Sequence, residues 1–175
     1  YLIHWPRPDL ENPDWRTLCR ATWRAMEKLY EEGVFRAIGV SNFLPHHIEN
    51  IAVSGNVAPA VNQIEFHPGY PQLEAVSYCQ EHSILPQAWS PLGRTRVLCD
   101  PLIETLSENY GKTPAQICLC YALMHGVMPL PKASSADRMR ENLDAASFSM
   151  EPEDVAVLDG METTGWSGLH PDRER

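Results

Sequence analysis

Four short segments of this chain close apolar, β-rich runs with groups suited to a flat, negatively charged ligand. They are Ile38-Gly39-Val40-Ser41-Asn42-Phe43, Val61-Asn62-Gln63-Ile64-Glu65-Phe66-His67-Pro68, Gln87-Ala88-Trp89-Ser90-Pro91-Leu92-Gly93, and Leu130-Pro131-Lys132 running on to Arg138 and Asn142. Ser41, Asn42 and Gln63 can hydrogen-bond a planar polar group, and Trp89 offers an aromatic face for stacking and dispersion. Lys132 and Arg138 bracket a strand-to-helix turn, where an Arg fork, an ammonium and a helix N-terminus together suit a phosphate. Recurrence at strand ends indicates one site assembled from several βα loops. Each piece also has a plainer use: Ser-Asn after a strand is common turn chemistry, Asn-Gln in a strand can serve a neighbouring backbone, and Lys plus Arg near a helix start is often a solvated face.

The elements that must carry these loops are legible. Strand-like runs fall at about 1–5, 36–41, 60–65, 84–89 and 127–131, alternating with helix-period stretches, as in βα units around a parallel sheet. Trp15, Leu18, Cys19, Thr22, Met26, Leu29 and Tyr30 form an amphipathic stripe, with Pro13 suited to a first turn and Gly33 to the stop. A short helix runs from Pro45 to Val53, and Leu73, Val76 and Cys79 mark another. Asp100-Pro101 and Thr113-Pro114 pair an N-cap with proline at the first helical position, opening helices whose inner faces hold Leu102, Ile103 and Leu106, and Ile117, Tyr121 and Met124. Ser134 or Ser135 caps a helix to about Ala145, and Pro152 opens a last one with Val155 and Leu158 inward. No repeat, low-complexity tract or linker interrupts the chain, so residues 1–175 read as a single domain.

Composition excludes several classes. The 175 residues, 43% hydrophobic and 21% charged, describe a globular chain able to bury a core. A formal charge of −9 opposes nucleic-acid binding through phosphate neutralisation. Cys19, Cys79, Cys99, Cys118 and Cys120 are odd in number and lack metal-ligand spacing, which indicates buried, reduced thiols in a cytoplasmic protein and no metal site. No apolar run reaches the roughly 18–20 residues of a membrane span. Tyr1 stands inside a strand-like run and does not resemble a natural translation start.

With Leu2-Ile3-His4-Trp5-Pro6, the four loop segments resemble the aldo-keto reductase family, in its bacterial 2,5-diketo-D-gluconate reductase-like branch, from Tyr1 to about His170. Five strands alone fit an open doubly wound sheet equally well. The resemblance implies a closed (β/α)8 TIM barrel, which needs eight strands and roughly 250 residues. The chain then holds strands four to eight and lacks one to three. It further implies hydride transfer from NADP(H) to a small carbonyl substrate by a monomeric parent, with no nucleic-acid or membrane partner.

The resemblance also assigns residues. His4 is the catalytic histidine that fixes the carbonyl oxygen, and Trp5 lies beside it against substrate. Ser41, Asn42 and Gln63 clamp the nicotinamide carboxamide, Trp89 lies beneath the ring, and Ser90, Leu92 and Gly93 follow the pyrophosphate, with Arg94 or Arg96 adding charge. Lys132, Ser134 and Arg138 hold the 2′-phosphate, and Glu141 and Asn142 contact adenine. Ala133 stands where many relatives have serine, which removes one donor. The family's catalytic Tyr, Asp and Lys belong to the second and third strands, so the fragment lacks them. Trp166 and His170 belong to the substrate-side tail. His46 and His47 read as solvent-exposed neighbours, His67 as structural, and His82, His125 and, apart from its place in that tail, His170 as without a role. Two alternatives stay open: a non-catalytic nicotinamide-nucleotide-binding barrel of the channel-subunit type, and a non-functional gene fragment.

Overall fold

The computed structural model describes residues 1–7 and 9–173. Its elements are β1 (Leu2–Ile3), α1 (Trp15–Glu31), β2 (Gly39–Ser41), α2 (Pro45–Ala52), β3 (Val61–Glu65), α3 (Leu73–Glu81), β4 (Leu85–Trp89), a 3-10 segment (Gly93–Cys99), α4 (Pro101–Tyr110), α5 (Pro114–Met124), β5 (Met128–Pro129), α6 (Ala136–Asp144) and α7 (Pro152–Asp159). The pairs β1–β2, β2–β3 and β4–β5 are parallel, giving the α/β class that alternation indicates. The chain divides into two compact units, one of Tyr1–Ile64, Leu73–Pro86 and the residues from Gly168 on, the other of Glu65–Gln72 and Gln87–Ser167.

In the first unit β1 pairs with β2 (Leu2 opposite Gly39) and β2 with β3 (Val40 opposite Asn62, Ser41 opposite Gln63). Every strand is shorter than its apolar run, β3 and β4 by a single residue and the others by more, for local reasons. Past Ile3 the ladder of β1 stops because the His4 carbonyl accepts from the Asn42 side chain and Pro6 has no N–H to give. The core is Trp15, Cys19, Trp23 and Met26 of α1 against Ile38, Val40, Phe43, Ile48, Ile51, Cys79 and Ile84.

The buried stripe of α1 differs from the expected one. Trp23 and Glu27 are inside, whereas Leu18 is 50% exposed and Thr22 and Tyr30 are exposed too. Leu18 and Thr22 instead line an open groove with Ile3, His4, Trp5 and Pro6. The helix begins at Trp15 with Asp14 as N-cap, so Pro13 precedes its first turn, while Gly33 takes the left-handed φ of +75° that ends it. Glu27 is buried because its Oε1 accepts from the backbone N–H groups of Asn56 (2.6 Å) and Val57 (2.7 Å), tying α1 to the turn before β3.

In the second unit β4 pairs with β5 (Gln87 opposite Met128, Ala88 opposite Pro129). Pro129 and Pro131 lack donors, which holds β5 to two residues, with Leu130 N–H reaching Ala88 O at 3.0 Å. Two helices, α4 and α5, fill the interval between these strands as read from the two cap-proline pairs. Asp100 accepts from Leu102 N–H, and Thr113 and Gln116 form a reciprocal capping box. Residues 116–122 of α5 are all buried, packed against α4, α6, α7 and β5, so this helix has no polar face. Met124, expected inward, is 41% exposed at its end. Ser135 caps α6, and Leu158 of α7 is fully buried while Val155 is only half-buried.

Removing the Glu27 carboxylate leaves two part-buried N–H groups without their acceptor. Glu27→Ala should therefore lower stability by about 2–4 kcal/mol, read as a shift of the urea midpoint by tryptophan fluorescence. Glu27→Gln keeps an amide oxygen for both donors and should cost less. Equal, small losses in both variants would mean the carboxylate contributes nothing.

Candidate functional site

In the first unit, the C-terminal ends of β1, β2 and β3 form one hydrogen-bonded set. Asn42 sits at φ +61°, a left-handed conformation that Asn tolerates better than most residues. Its N–H donates to Gln63 O (2.9 Å), and its Nδ2 donates to His4 O (3.0 Å) and to Ser41 Oγ (3.2 Å). Ser41 Oγ in turn donates to Gln63 O at 2.7 Å. Ser41 and Asn42 are buried, Gln63 is half-buried and the His4 side chain is exposed, with Trp5 tilted beside it at 5.9 Å between ring centroids. Thus four of the residues singled out from sequence stand together, with the Ser41 hydroxyl proton engaged by the backbone and the Asn42 amide by the His4 carbonyl and the Ser41 hydroxyl oxygen. What they offer a ligand is fixed orientation. Asn62, in contrast, serves structure: fully buried, its amide exchanges bonds with Phe43 (Nδ2 to O 2.8 Å, N to Oδ1 3.4 Å).

In the second unit, the end of β4 and the start of α6 carry the other candidates. Lys132, Arg138, Glu141 and Asn142 line one cleft of about 500 Å³ together with Leu92, Thr95, Leu98 and Thr113. Lys132 and Arg138 are exposed and have no ion-pair partner among the described residues, while Glu141 accepts from Thr113 Oγ1 at 2.6 Å. Ser134 is exposed on the turn before α6 and is outside the cleft lining. Thr113 reads in sequence only as a helix cap and Leu98 has no reading there, because nothing in their local pattern marks a ligand wall. Trp89 and Ser90 are half-buried, and the chain then turns left-handed at Ser90 (φ +47°), Gly93 (+50°), Arg94 (+53°) and Thr95 (+71°). Gly93 N–H is spent on Ser90 O (2.8 Å) and Thr95 N–H on Leu92 O (2.7 Å), so this loop is wound on itself.

A family model described as the Aldo/keto reductase family matches residues 1–163. The chain belongs to the aldo-keto reductase family. Glyoxal reductase of Bacillus subtilis (strain 168) is 40% identical over 172 residues, covering 98% of this chain and 59% of that protein. The 2,5-diketo-D-gluconic acid reductase B of Corynebacterium sp. (strain SHS752001) is 38% identical over 162 residues, 92% of this chain and 56% of that protein. Among solved structures, Gox0644 is similar with a TM-score of 0.88 and 35% identity over 100% of this chain and 63% of its own, both as apoform and as a mutant in complex with NADPH. The chain spans about three-fifths of the length of the curated relatives it matches.

The histidines of this aldo-keto reductase chain correct the sequence reading. His47 is fully buried, and His46, His47 and Asp172 bring their ligand-capable atoms within 4.8 Å of one another, the one such group among the described residues. Geometry argues against a cation there. His47 Nδ1 accepts from Leu44 N–H (3.1 Å), so its proton is on Nε2, which donates to Asp172 Oδ1 (3.0 Å), and Arg7 Nη1 lies 3.4 Å from the same oxygen. The cluster pins the tail to α2 and to the segment after His4. His170 Nδ1 accepts from Asp172 N–H, and His125 lies 2.9 Å from Asp159, which also accepts from Tyr121, so neither lacks a task. Cys99 is exposed, while the other four thiols are buried, with burial pushing Cys19 up to about 11 and Cys118 up to about 12. Among the described residues no helix is long and apolar enough to cross a membrane.

Burial, with the neighbouring His46, lowers the His47 pKa from 6.5 to about 4. Between those values the unfolded chain takes up a proton that the folded chain refuses, so stability falls as pH drops through that window. Asp172, which burial alone would raise, is held low by His47, His46 and Arg7, and its contribution is lost only at still lower pH. Urea unfolding should show a loss on the order of 2–3 kcal/mol between pH 7 and pH 4.5. His47→Asn should flatten that slope; an unchanged slope would assign it to other groups.

Proposed function

We propose that this chain forms strands four to eight of a (β/α)8 barrel, and that the whole protein is a monomeric, cytoplasmic, NADPH-dependent reductase of small aldehydes, ketones or keto-sugars. The observation that carries the cofactor reading is electrostatic. In a chain of net charge −9, Lys132 and Arg138 line one cleft with Asn142 and have no ion-pair partner among the described residues. Two cations at a helix start, against the single carboxylate of Glu141 in that cleft, fit a 2′-phosphate better than a ribose hydroxyl. The barrel reading is supported by the width of the α1 stripe, whose Leu18 and Thr22 lie bare, and by exposed Met128, Leu130, Met139 and Leu143 at β5 and α6. Apolar surfaces of this kind call for a cover.

On this reading Ser41, Asn42 and Gln63 orient the nicotinamide carboxamide, Trp89 stacks beneath the ring, and Ser90, Leu92 and Gly93 follow the pyrophosphate. Lys132, Ser134 and Arg138 hold the 2′-phosphate, and Glu141 and Asn142 contact adenine. When bound, NADPH supplies the hydride. His4 donates an imidazole N–H to the carbonyl oxygen, which fixes its orientation and stabilises the charge that develops there. Asn42 holds the His4 backbone in place for this. Trp5 walls the pocket, and the Tyr, Asp and Lys of the proton relay come from the strands outside this chain.

In the full-length protein, Arg138→Ala should weaken NADPH binding by roughly 10- to 100-fold, the scale of a charge-assisted hydrogen bond, and leave NADH nearly unchanged in fluorescence titrations. Equal losses for both coenzymes would remove the 2′-phosphate assignment. His4→Ala should cut kcat/KM for a test aldehyde by roughly 100-fold while NADPH affinity barely moves. Intact turnover with only a lower Tm would make His4 a structural residue.

A further inference from the structure

The second unit contains a buried carboxylate that the reading above does not use. Glu65, at the end of β3, is 2% exposed. Its Oε1 accepts from Ser167 N–H (2.9 Å) and its Oε2 from Ser167 Oγ (2.6 Å), and His67 Nε2 lies 3.4 Å from Oε1. No Lys or Arg pairs with it among the described residues, so hydrogen bonds to the tail compensate a buried charge. Such a carboxylate is demanding. It ties Ser167 far more firmly than a surface serine is usually held.

What Ser167 anchors is a strap across the loop after β4. Trp166 stacks on Tyr70 (5.6 Å, 21° between planes), and its carbonyl accepts from Arg96 at 3.4 Å. Gly165, at φ +71°, presses on Gly93: a Cβ there would stand 3.2 Å from Gly93 Cα and 2.8 Å from Val97 Cγ1. Thr164 N–H reaches Gly69 O at 3.3 Å. The loop beneath is strained, since Ser90, Arg94 and Thr95 all have positive φ. Left-handed non-glycine residues are costly and persist only where surroundings hold them.

We propose that Glu65 is a positioning residue: through Ser167 it clamps the 164–167 strap onto the strained Ser90–Thr95 loop, and so sets how fast a phosphate-bearing cofactor leaves that loop. The second clause rests on the cofactor reading above. The first does not. Breaking the clamp lets the strap lift, and the left-handed residues relax toward ordinary conformations that no longer follow a pyrophosphate.

The test uses the full-length protein without cofactor, limited trypsin digestion and mass spectrometry to count cuts after Arg94 or Arg96. Ser167→Ala should speed these cuts tenfold or more, the scale of one charge-assisted hydrogen bond, with cuts elsewhere unchanged. Ser167→Thr keeps the hydroxyl and should restore protection, whereas Ser77→Ala, an exposed serine bonded to Glu81, should change nothing. Unchanged cutting in Ser167→Ala overturns the clamp. Should that variant unfold, hydrogen exchange of the unaltered protein decides: the amides of Gly93, Thr95 and Ser167 should open together, and Gly93 or Thr95 protected long after Ser167 has exchanged overturns it equally. In stopped-flow, Ser167→Ala should release NADPH at least fivefold faster at an unchanged NADPH-to-NADH preference. Faster cutting without faster release overturns the cofactor clause. A protein that binds no NADPH refutes the function proposed above instead, and the cutting experiment still decides the clamp.

Discussion

The bond from Asn42 Nδ2 to the His4 carbonyl is the constraint on which the first unit's strand ends depend. A parallel sheet runs out of ladder partners at the C-terminal ends of its strands, where backbone carbonyls still need donors. In this chain side-chain amides take over. Asn42 closes β1 onto β2 through His4 and, through its own N–H, β2 onto β3 at Gln63. Asn62 does the same for Phe43. The left-handed turn at Asn42 aims that amide backwards, and it explains why a residue able to hold φ +61° stands there. The polar residues that look like ligand groups are therefore first of all the fasteners of the strand ends, and on the proposed reading they also serve the ligand.

The second unit meets the same need differently. Its βα loop after β4 is wound left-handed on itself, and the 164–167 tail is held across it by a buried carboxylate instead of by amides from the sheet. Behind it, α5 is buried on every side, and its far end is fixed by polar clamps. Tyr121 donates to Asp159, which also meets His125, and Tyr110 donates to Asp154 of the same helix, α7. Burial, then the Asp159 bond, pushes the Tyr121 hydroxyl far above its ordinary range, so it stays a donor at any pH the protein meets. Such clamps add direction to a core that hydrophobic burial alone leaves free to slide.

Much of this was legible in sequence because it is local. Asp100-Pro101, Thr113-Pro114-Ala115-Gln116 and the apolar runs announce caps and strands within a few residues, and the loop motifs mark the family. What escaped is set by partners distant in sequence. Glu27 reads as a surface charge on a helix until Asn56 and Val57 arrive; Glu65 reads as a strand residue until Ser167 does. His47 looked solvated because adjacent histidines on a helix diverge, and only the returning tail buries one of them. The α1 stripe misled for a related reason. Periodicity records every position a mature interface wants covered, and Leu18 and Thr22 belong to that set although nothing in the described residues covers them.

Charge ties these observations to coenzyme choice. On the proposed reading, the neutral side-chain donors around the 2′-phosphate are few and exposed: Ala133 has none, the Thr113 hydroxyl donates to Glu141, and the hydroxyls of Ser134 and of Ser135, whose oxygen accepts from Arg138 N–H, stand on the exposed turn. Discrimination then falls on the two exposed cations, Lys132 and Arg138. Exposed charges act through a high dielectric and are screened within about 8 Å at physiological ionic strength. A site built this way prefers the phosphorylated coenzyme through Coulomb attraction more than through shape, and it rejects the unphosphorylated one weakly, because few buried donors are left unmatched when the phosphate is missing.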